Sequence, residues 1–450
     1  MTDLLDADTA SAPGTYPVPA GRGRWRLMLH NRTYADTAPA QTVIADLTEA
    51  RSRKLVTALN TPATFSFVID GWRPAVRYIA ELCTEVVLWR FDDTTGNDVV
   101  IFRGPITASV DTCDEQSHSV TFSAVDYGAL LFRRIFVSIT PTTISGLDQD
   151  YCAGTIVRNG IGLGSSSGTG FDPGRYLPLA WSPTMALPVI AVNPDGTARA
   201  APSGVIRTLS YQGNAVVGQM LSDLAKLGDT TAGKPPGSGS FDYDVAPFSA
   251  LPTTSVAGTV DALRIFYPQQ GITRTAPALY YPGNVTALTR AVTSADYSNY
   301  WRTIGNNQNV SQSAAQFYGE AWTSDAITGA AGSVGLWENG DQVADSADQT
   351  LLGQAAQGQL NLHSVLLPTY TVTLAPGFYY QGAFCLGDTL PLIVQSGRLA
   401  VNTTTRVVGL TYEPGDDGPE TVTVTLGRSP RTLAHILGDQ NAAIRALARR

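Results

Sequence analysis

Charge is scarce in this 450-residue chain. Asp, Glu, Lys and Arg make up 15% of it, against roughly 25% in ordinary soluble domains. A surface so poor in charge suits a chain covered by partners, and equally one dressed in Ser, Thr, Asn and Gln. The net charge of −8 excludes a dedicated nucleic-acid binder, which needs a basic footprint against phosphates. Four cysteines, Cys83, Cys113, Cys152 and Cys385, stand far apart with no CxxC pair, which argues against a disulfide framework or a zinc site. Four histidines, His30, His118, His363 and His435, form neither HxH nor HExxH. No run of about 18 apolar residues exists to cross a membrane. The acidic start, MTDLLDADTA, has no apolar core of a signal peptide, so the expectation is a protein made in a cytosol and left there.

Motifs for chemistry are equally thin. Gly228–Pro235 reads GDTTAGKP, a G-x-x-x-x-G-K spacing, but Pro235 stands where a phosphate-binding loop needs Ser or Thr for Mg²⁺. No GxSxG elbow occurs. Glu413, Asp416, Asp417 and Glu420 gather hard oxygens without the spacing of a calcium loop, and read better as a solvated hairpin tip. Glu320, Asp325 and Glu338 offer carboxylate pairs as any acidic segment does. Trp301, Trp322 and Trp337 nearby suit core or interface anchors, with sugar stacking as the alternative. No cofactor, metal or catalytic residue is expected.

What the chain has in plenty is Gly (43) and Pro (27), with hydrophobic residues at an ordinary 43%. That composition favours many short strands and turns. TFSFVID (64–70) alternates Phe65, Phe67 and Ile69 inward. EVVLWRF and VVIFRG flank a Gly/Asn/Asp turn at 92–98, and PITASVD and SVTFSAVD flank TCDEQSH. VVLWRF is apolar on both faces, as in a strand covered on both sides. RVVGLTYEPGDDGPETVTVTLG (406–427) is a further hairpin, whose apolar Val408, Leu410, Tyr412, Val422, Val424 and Leu426 all fall on even numbers. Helical spacing of Val216, Val217, Met220, Leu221, Leu224 and Leu227 predicts a helix over 214–227. Shorter helices are expected in AGTIVRNGI and SADQTLLGQAAQGQLN.

The resulting organisation is an extended arm (1–20), a first β unit (21–135), a loop-rich α/β insertion (136–245), a mixed acidic region (246–365), a second β unit (366–428) and a C-terminal helix (429–450). No strict sequence repeat shows, yet both β units hold hairpins of similar length, which leaves room for two related barrels. In the terminal helix Leu433, Leu437, Ile444 and Leu447 recur at three- to four-residue spacing. That stripe is too short to stand alone in water. It either packs on copies of itself around Gln440 or docks on its own chain.

SVTFSAVDYGALLFRR (119–134), GSFDYDV, LRIFYPQQG, YYPGNVTALTR, FCLGDTLPLIVQSGRLAVNTTTRVVGLTYE and ETVTVTLG follow one another in an order that resembles the minor tail proteins of long-tailed phages of actinobacteria, relatives of baseplate hub proteins. The likeness runs from about residue 24 to 428, and 27 Arg against 3 Lys fits a high-GC host. It implies a mainly β (α+β) fold, with two tail-tube-like antiparallel β-barrels bracketing a mixed α/β middle. It also implies a structural role without enzymatic activity: a homotrimeric hub at the virion tail tip whose six barrels meet a sixfold tube. Its expected partners are the distal tail protein or tail tube above, tail fibre or spike proteins below, and the tape measure protein. DNA would pass through without specific binding. The competing class is a host-surface glycan or receptor binder, with the segment 136–205 or the acidic Trp-bearing region as its candidate sites.

Overall fold

The computed structural model describes residues 25–31, 42–136 (apart from 93–94), 142–160, 179, 189–226 (apart from 212–214), 240–247, 261–305 (apart from 296), 318–323, 334–342, and 349–427 apart from 365, 367, 380–381 and 417–418. The N-terminal arm, the GDTTAGKP turn and the C-terminal helix with Leu433, Leu437, Ile444 and Leu447 lie outside these. Two compact units emerge. The larger comprises Met1–Leu288 and Thr371–Leu426, and the smaller Thr289–Tyr370 and Gly427–Arg450.

The chain opens with seven strands: β1 (Trp25–Asn31), β2 (Thr42–Asp46), β3 (Arg51–Ala58), β4 (Thr61–Asp70), β5 (Thr84–Asp92), β6 (Asn97–Cys113) and β7 (His118–Val125). A mixed segment follows: α1 (Gly128–Leu131), β8 (Ile135–Phe136), β9 (Thr142–Asp148), α2 (Gln149–Gly160), β10 (Ile190–Val192), β11 (Ile206–Tyr211), β12 (Ala215–Val216), α3 (Val217–Lys226), β13 (Asp242–Ala246) and β14 (Ala262–Phe266). Then come β15 (Leu279–Tyr281), β16 (Val285–Ala291), β17 (Tyr300–Ile304), β18 (Tyr318–Trp322), β19 (Glu338–Gln342), α4 (Gln349–His363), β20 (Thr369–Leu374), β21 (Thr389–Ser396), β22 (Leu399–Glu413) and β23 (Thr421–Leu426).

The fold is mainly β, as expected, but no strand pairing among the described residues closes a barrel. Both β units instead belong to one open sheet of order β16-β20-β23-β22-β3-β4-β7-β6-β5-β1-β2, with β21 and β15 branching from β22. Phe65, Phe67 and Ile69 point inward as the alternation of β4 requires, and Phe65, Phe67, Phe102 and Phe122 form a chain of ring contacts at 5.4–5.8 Å. Each such ring removed from water stabilises the fold by about 1.5–3 kcal/mol. The two adjacent hairpins read in 86–126 turn out to share one 17-residue strand, β6, which pairs with β5 over Asn97–Pro105 and with β7 over Ile106–Cys113.

β22 repeats that pattern. It pairs with β21 over Leu399–Arg406 and with β23 over Val407–Glu413. Both strands carry a bulge just after they change partner, between Ile106 and Ala108 in β6 and between Val407 and Gly409 in β22. Counted from the bulge, Ile106 matches Val407 and Ala108 matches Gly409. Opposite them the buried Val120, Phe122 and Ala124 of β7 match Val422, Val424 and Leu426 of β23. The turns that enter β5 and β21 agree as well. Leu82 N–H donates to the Ile106 carbonyl (2.7 Å) and Gly387 N–H to the Val407 carbonyl (2.8 Å), and both donors have positive φ, +65° and +90°. The neighbour order β3-β4-β7-β6-β5 thus recurs as β16-β20-β23-β22-β21. The halves part company at the next strand: β1 runs antiparallel to β5, whereas β15 runs parallel to β21.

The β22 bulge corrects the even-number reading of the last hairpin. An extra residue inverts the facing of side chains. Val407 is therefore buried where Val408 was expected, while Leu410, Tyr412, Val422, Val424 and Leu426 point inward as read.

The mixed segment packs around its own core of Cys152, Ile156 and Val157 on α2, Met220, Leu221 and Leu224 on α3, and Tyr243 and Ile265 on β13 and β14. The helix expected at 214–227 begins at Val217; Val216 belongs to β12 and is exposed. The helices expected near AGTIVRNGI and SADQTLLGQAAQGQLN correspond to α2 and α4. In the smaller unit α4 covers one face of the sheet β18-β17-β19, burying Trp301 and Ala321 against Ala356 and Leu360. No helix among the described residues is long and apolar enough to cross a membrane.

Candidate assembly surface

The seam between the two halves is the antiparallel pairing of β22 with β3. Gly409 to Tyr412 face Ala58 to Leu55, extended by Leu59 N–H donating to the Val408 carbonyl (3.1 Å). It makes one sheet of two similar pieces; two sets of buried polar groups tie the halves together, and a third ties the first half to the middle segment.

The first surrounds Asp242 at the head of β13. Its carboxylate accepts from Asn60 Nδ2 (2.8 Å) in the β3–β4 turn, from the Gln270 N–H (2.8 Å), and from the Arg406 guanidinium on β22. Arg406 also donates to the carbonyls of Gln270 (2.7 Å) and Gly387 (3.1 Å). One carboxylate thereby gathers the first half, the middle segment and the second half. Asn60, at φ +55°, supplies the left-handed residue this tight turn requires.

The second set surrounds Glu420. Read as part of a solvated tip, it is instead buried: its carboxylate pairs with Arg90 of β5 and accepts from Trp25 Nε1 of β1 (2.8 Å). The Arg90 guanidinium lies 4.8 Å from the centre of the Tyr379 ring, whose hydroxyl meets that of Tyr412 at 3.0 Å. Burial pushes the Tyr412 phenol up to about 12 and that of Tyr379 well above its usual value. Closer to the β3 edge the tip is more open: Asp416 accepts from the Ser52 N–H (3.2 Å) and Glu413 pairs with Lys54 (2.8 Å). The third set joins the first half to the middle segment. Arg103 on β6 pairs with Glu85 (2.8 Å) and Asp261 (3.2 Å), and although burial works against its charge the two carboxylates raise its pKa.

Beside the seam is a cavity of about 240 Å³, lined in part by Leu55, Thr57, Leu410, Tyr412, Arg264 and Asp126. Asp126 is deeply buried just after β7. Burial pushes its carboxyl up to about 7 against the pull of the Ala63 N–H (2.6 Å) and the Ala129 N–H (3.3 Å). Among the described residues no group of His, Cys, Asp and Glu could hold a metal ion.

At positions matching the seam, the first half is bare. Gly409 and Tyr412 of β22 are buried, whereas their matches Ala108 and Asp111 of β6 are exposed, and Val110, which matches the half-buried Thr411, is exposed by 61%. β16, the counterpart of β3, ends the sheet with β20 as its one strand neighbour among the described residues and is exposed along most of its length. Of the tryptophans singled out from sequence, Trp301 is core, while Trp322 and Trp337 are exposed by 51% and 44%. Tyr300 and Glu338 face one another in register between β17 and β19, and Tyr300 also faces Trp322 on β18.

None of the seam's polar clamps was legible beforehand. Arg90 and Glu420 are separated by 330 positions, and an isolated Arg within an apolar strand was the one available signal.

No protein-family model matches the chain, and no curated protein matches it by sequence. Its fold does match solved structures. A tail protein from Neisseria meningitidis MC58 superposes with a TM-score of 0.53 at 10% identity, over 90% of this chain and 97% of that one. The 43 kDa tail protein of prophage MuSo2 from Shewanella oneidensis gives a TM-score of 0.53 at 10% identity, over 90% of this chain and 98% of that one. The chain thus shares the fold of these tail proteins along nearly its whole length.

Proposed function

We propose that this chain is a structural protein of a phage tail tip rather than an enzyme. Three copies form a hub ring that caps or continues the tail tube, adapts sixfold to threefold symmetry and leaves a channel for the genome. The observation that carries this reading is the doubled sheet: one chain supplies two versions of the same strand pattern, so three chains present six. Two solved structures of the same fold, both described as tail proteins, support the setting. The order of sequence phrases points to a long-tailed phage of an actinobacterial host.

In this reading the first and second β units are the tube-like parts. The ring meets the distal tail protein or tube above, fibre or spike proteins below, and the tape measure protein. Leu433, Leu437, Ile444 and Leu447 help hold the copies together. Three copies carry three times the chain's −8, and carboxylates facing the bore keep DNA sliding without sticking. Light scattering on the purified protein tests the ring: the expected mass is three times 47.7 kDa, falling when residues 431–450 are removed. A monomer in solution, together with tail particles lacking threefold density for this chain, would overturn it.

A second reading rests on Trp322, exposed beside Tyr300 in the smaller unit, and makes that unit a host-glycan receptor site. Glycan-array binding lost in Trp322→Ala would favour it.

A further inference from the structure

The seam between β3 and β22 joins two versions of one pattern, so the same two edges must exist a second time. They do, at separate places on the sheet. The second copy of the β22 edge is the outer half of β6, which from Ala108 onward has no strand beyond it among the described residues. The second copy of the β3 edge is β16, which among the described residues has no strand on the side away from β20. We infer that copies of this chain join head to tail by main-chain pairing of Ala108–Asp111 in one copy with β16 of the next, which repeats between copies the seam found within each.

This rests on the ring reading and assigns its interface. Three observations carry it. The match between β6 and β22 extends to the bulge, and the residue donating to the carbonyl before it occupies the same place on the same edge, Leu82 in one half and Gly387 in the other. In the second half that contact leaves the following residues free to pair with β3; in the first half the Glu81 carboxylate beside Leu82 accepts from Ser109 Oγ, an exposed side-chain contact that an incoming strand has to displace. Finally, each edge is only lightly protected against strand addition, with a single charge apiece, Asp111 on the outer half of β6 and Arg290 on β16. Thr107–Cys113 contains no Pro or Lys and exposes Val110, and Val285–Ala291 contains neither residue. A head-to-tail joint of this kind closes into a ring when its rotation divides a full turn, and otherwise grows as a filament.

Cysteine crosslinking in the full-length protein tests the joint. In a Cys113→Ser background, Val110→Cys is combined in turn with a cysteine at each position from 286 to 290. Directly opposed residues on paired strands bring their Cβ atoms within disulfide reach, so one register alone is expected to link copies, and to link them into closed trimers. In parallel, Val110→Lys with Thr112→Lys places edge charges on side chains that are exposed within the single chain. The trimer is expected to dissociate at least tenfold more readily with the melting temperature unchanged. Trimers that persist in the lysine variant and form no β6–β16 crosslink would overturn this joint and leave the ring standing. A wild-type protein that stays monomeric in solution and in assembled particles would overturn both.

Discussion

The two halves of the large sheet share their backbone course far more closely than their side chains. At the bulge Ile106 stands for Val407 and Ala108 for Gly409; on the facing strands Phe122 stands for Val424 and Ala124 for Leu426. What persists is burial and partner change, while volumes and identities have drifted. A bulge fixes where a long strand leaves one neighbour for the next, and a slip of one residue would turn every apolar side chain outward. The halves differ most where they meet something else: β22 is closed by β3, and the outer half of β6 has no strand beyond it among the described residues. Difference at the edge and likeness in the interior are what a duplicated unit keeps when one of its joints has become internal.

The strongest way to break the comparison is at Glu420, which ties the second half to Arg90 and Trp25 of the first. Glu420→Ala leaves the buried Arg90 charge without its carboxylate, and such losses cost about 3–5 kcal/mol. Lys54→Ala, which breaks the exposed pair with Glu413 on the same hairpin, is expected to cost under about 1 kcal/mol. Urea midpoints of the two variants check the contrast.

Asp126 separates the halves by pH, because it belongs to the first alone. Its folded pKa of about 7 lies above the unfolded carboxylate value. Between those values the folded state holds a proton that the unfolded chain has released. Stability is therefore greatest at low pH, declines as pH rises from about 4 to 7, and levels off above, by up to about 4 kcal/mol in all. Asp126→Asn removes the slope while sacrificing one of the two carboxylate oxygens that accept from backbone N–H groups. Denaturation at pH 5 and pH 8 should give equal midpoints for Asp126→Asn after correction for the remaining acids, and unequal ones for the wild type.

How much of this could be read in the sequence follows from the range of each signal. Alternation within β4, β22 and β23 is local and was legible, as was α3 from its spacing, while α2 and α4 were expected in their segments without a spacing argument. The bulge in β22 misled the reading of Val408 because a period-two pattern carries no mark of an inserted residue. The continuous sheet was missed for a different reason: β3 and β22 pair across more than 350 positions, and edge pairing uses main-chain groups that every residue owns. Glu420 read as solvent-facing because its neighbours Asp416 and Glu413 are, and its buried partners lie in the other half. The duplication itself, hinted at by hairpins of equal length, is recorded in partner order and in two left-handed residues, neither of which leaves a trace in residue identity.

Those two residues give a further and smaller test. At Gly387 a Cβ would lie 2.4 Å from the Gln270 carbonyl oxygen at φ +90°, so Gly387→Ala should cost on the order of 2–3 kcal/mol.

The mirror substitution has the opposite sign and the least effect. Leu82 occupies the matching turn at φ +65°, where an L side chain is strained by about 1–2 kcal/mol, and its side chain is more than half exposed. Leu82→Gly relieves that strain and loses little burial, but it also widens the unfolded ensemble, which offsets about 0.5–1 kcal/mol. The net expectation is a gain of about 0.5 kcal/mol, read as a small rise in the urea midpoint at unchanged slope. A loss of stability instead would mean that Leu82 is held by packing absent from its Gly387 counterpart, and the two turns would then be alike in backbone but not in cause.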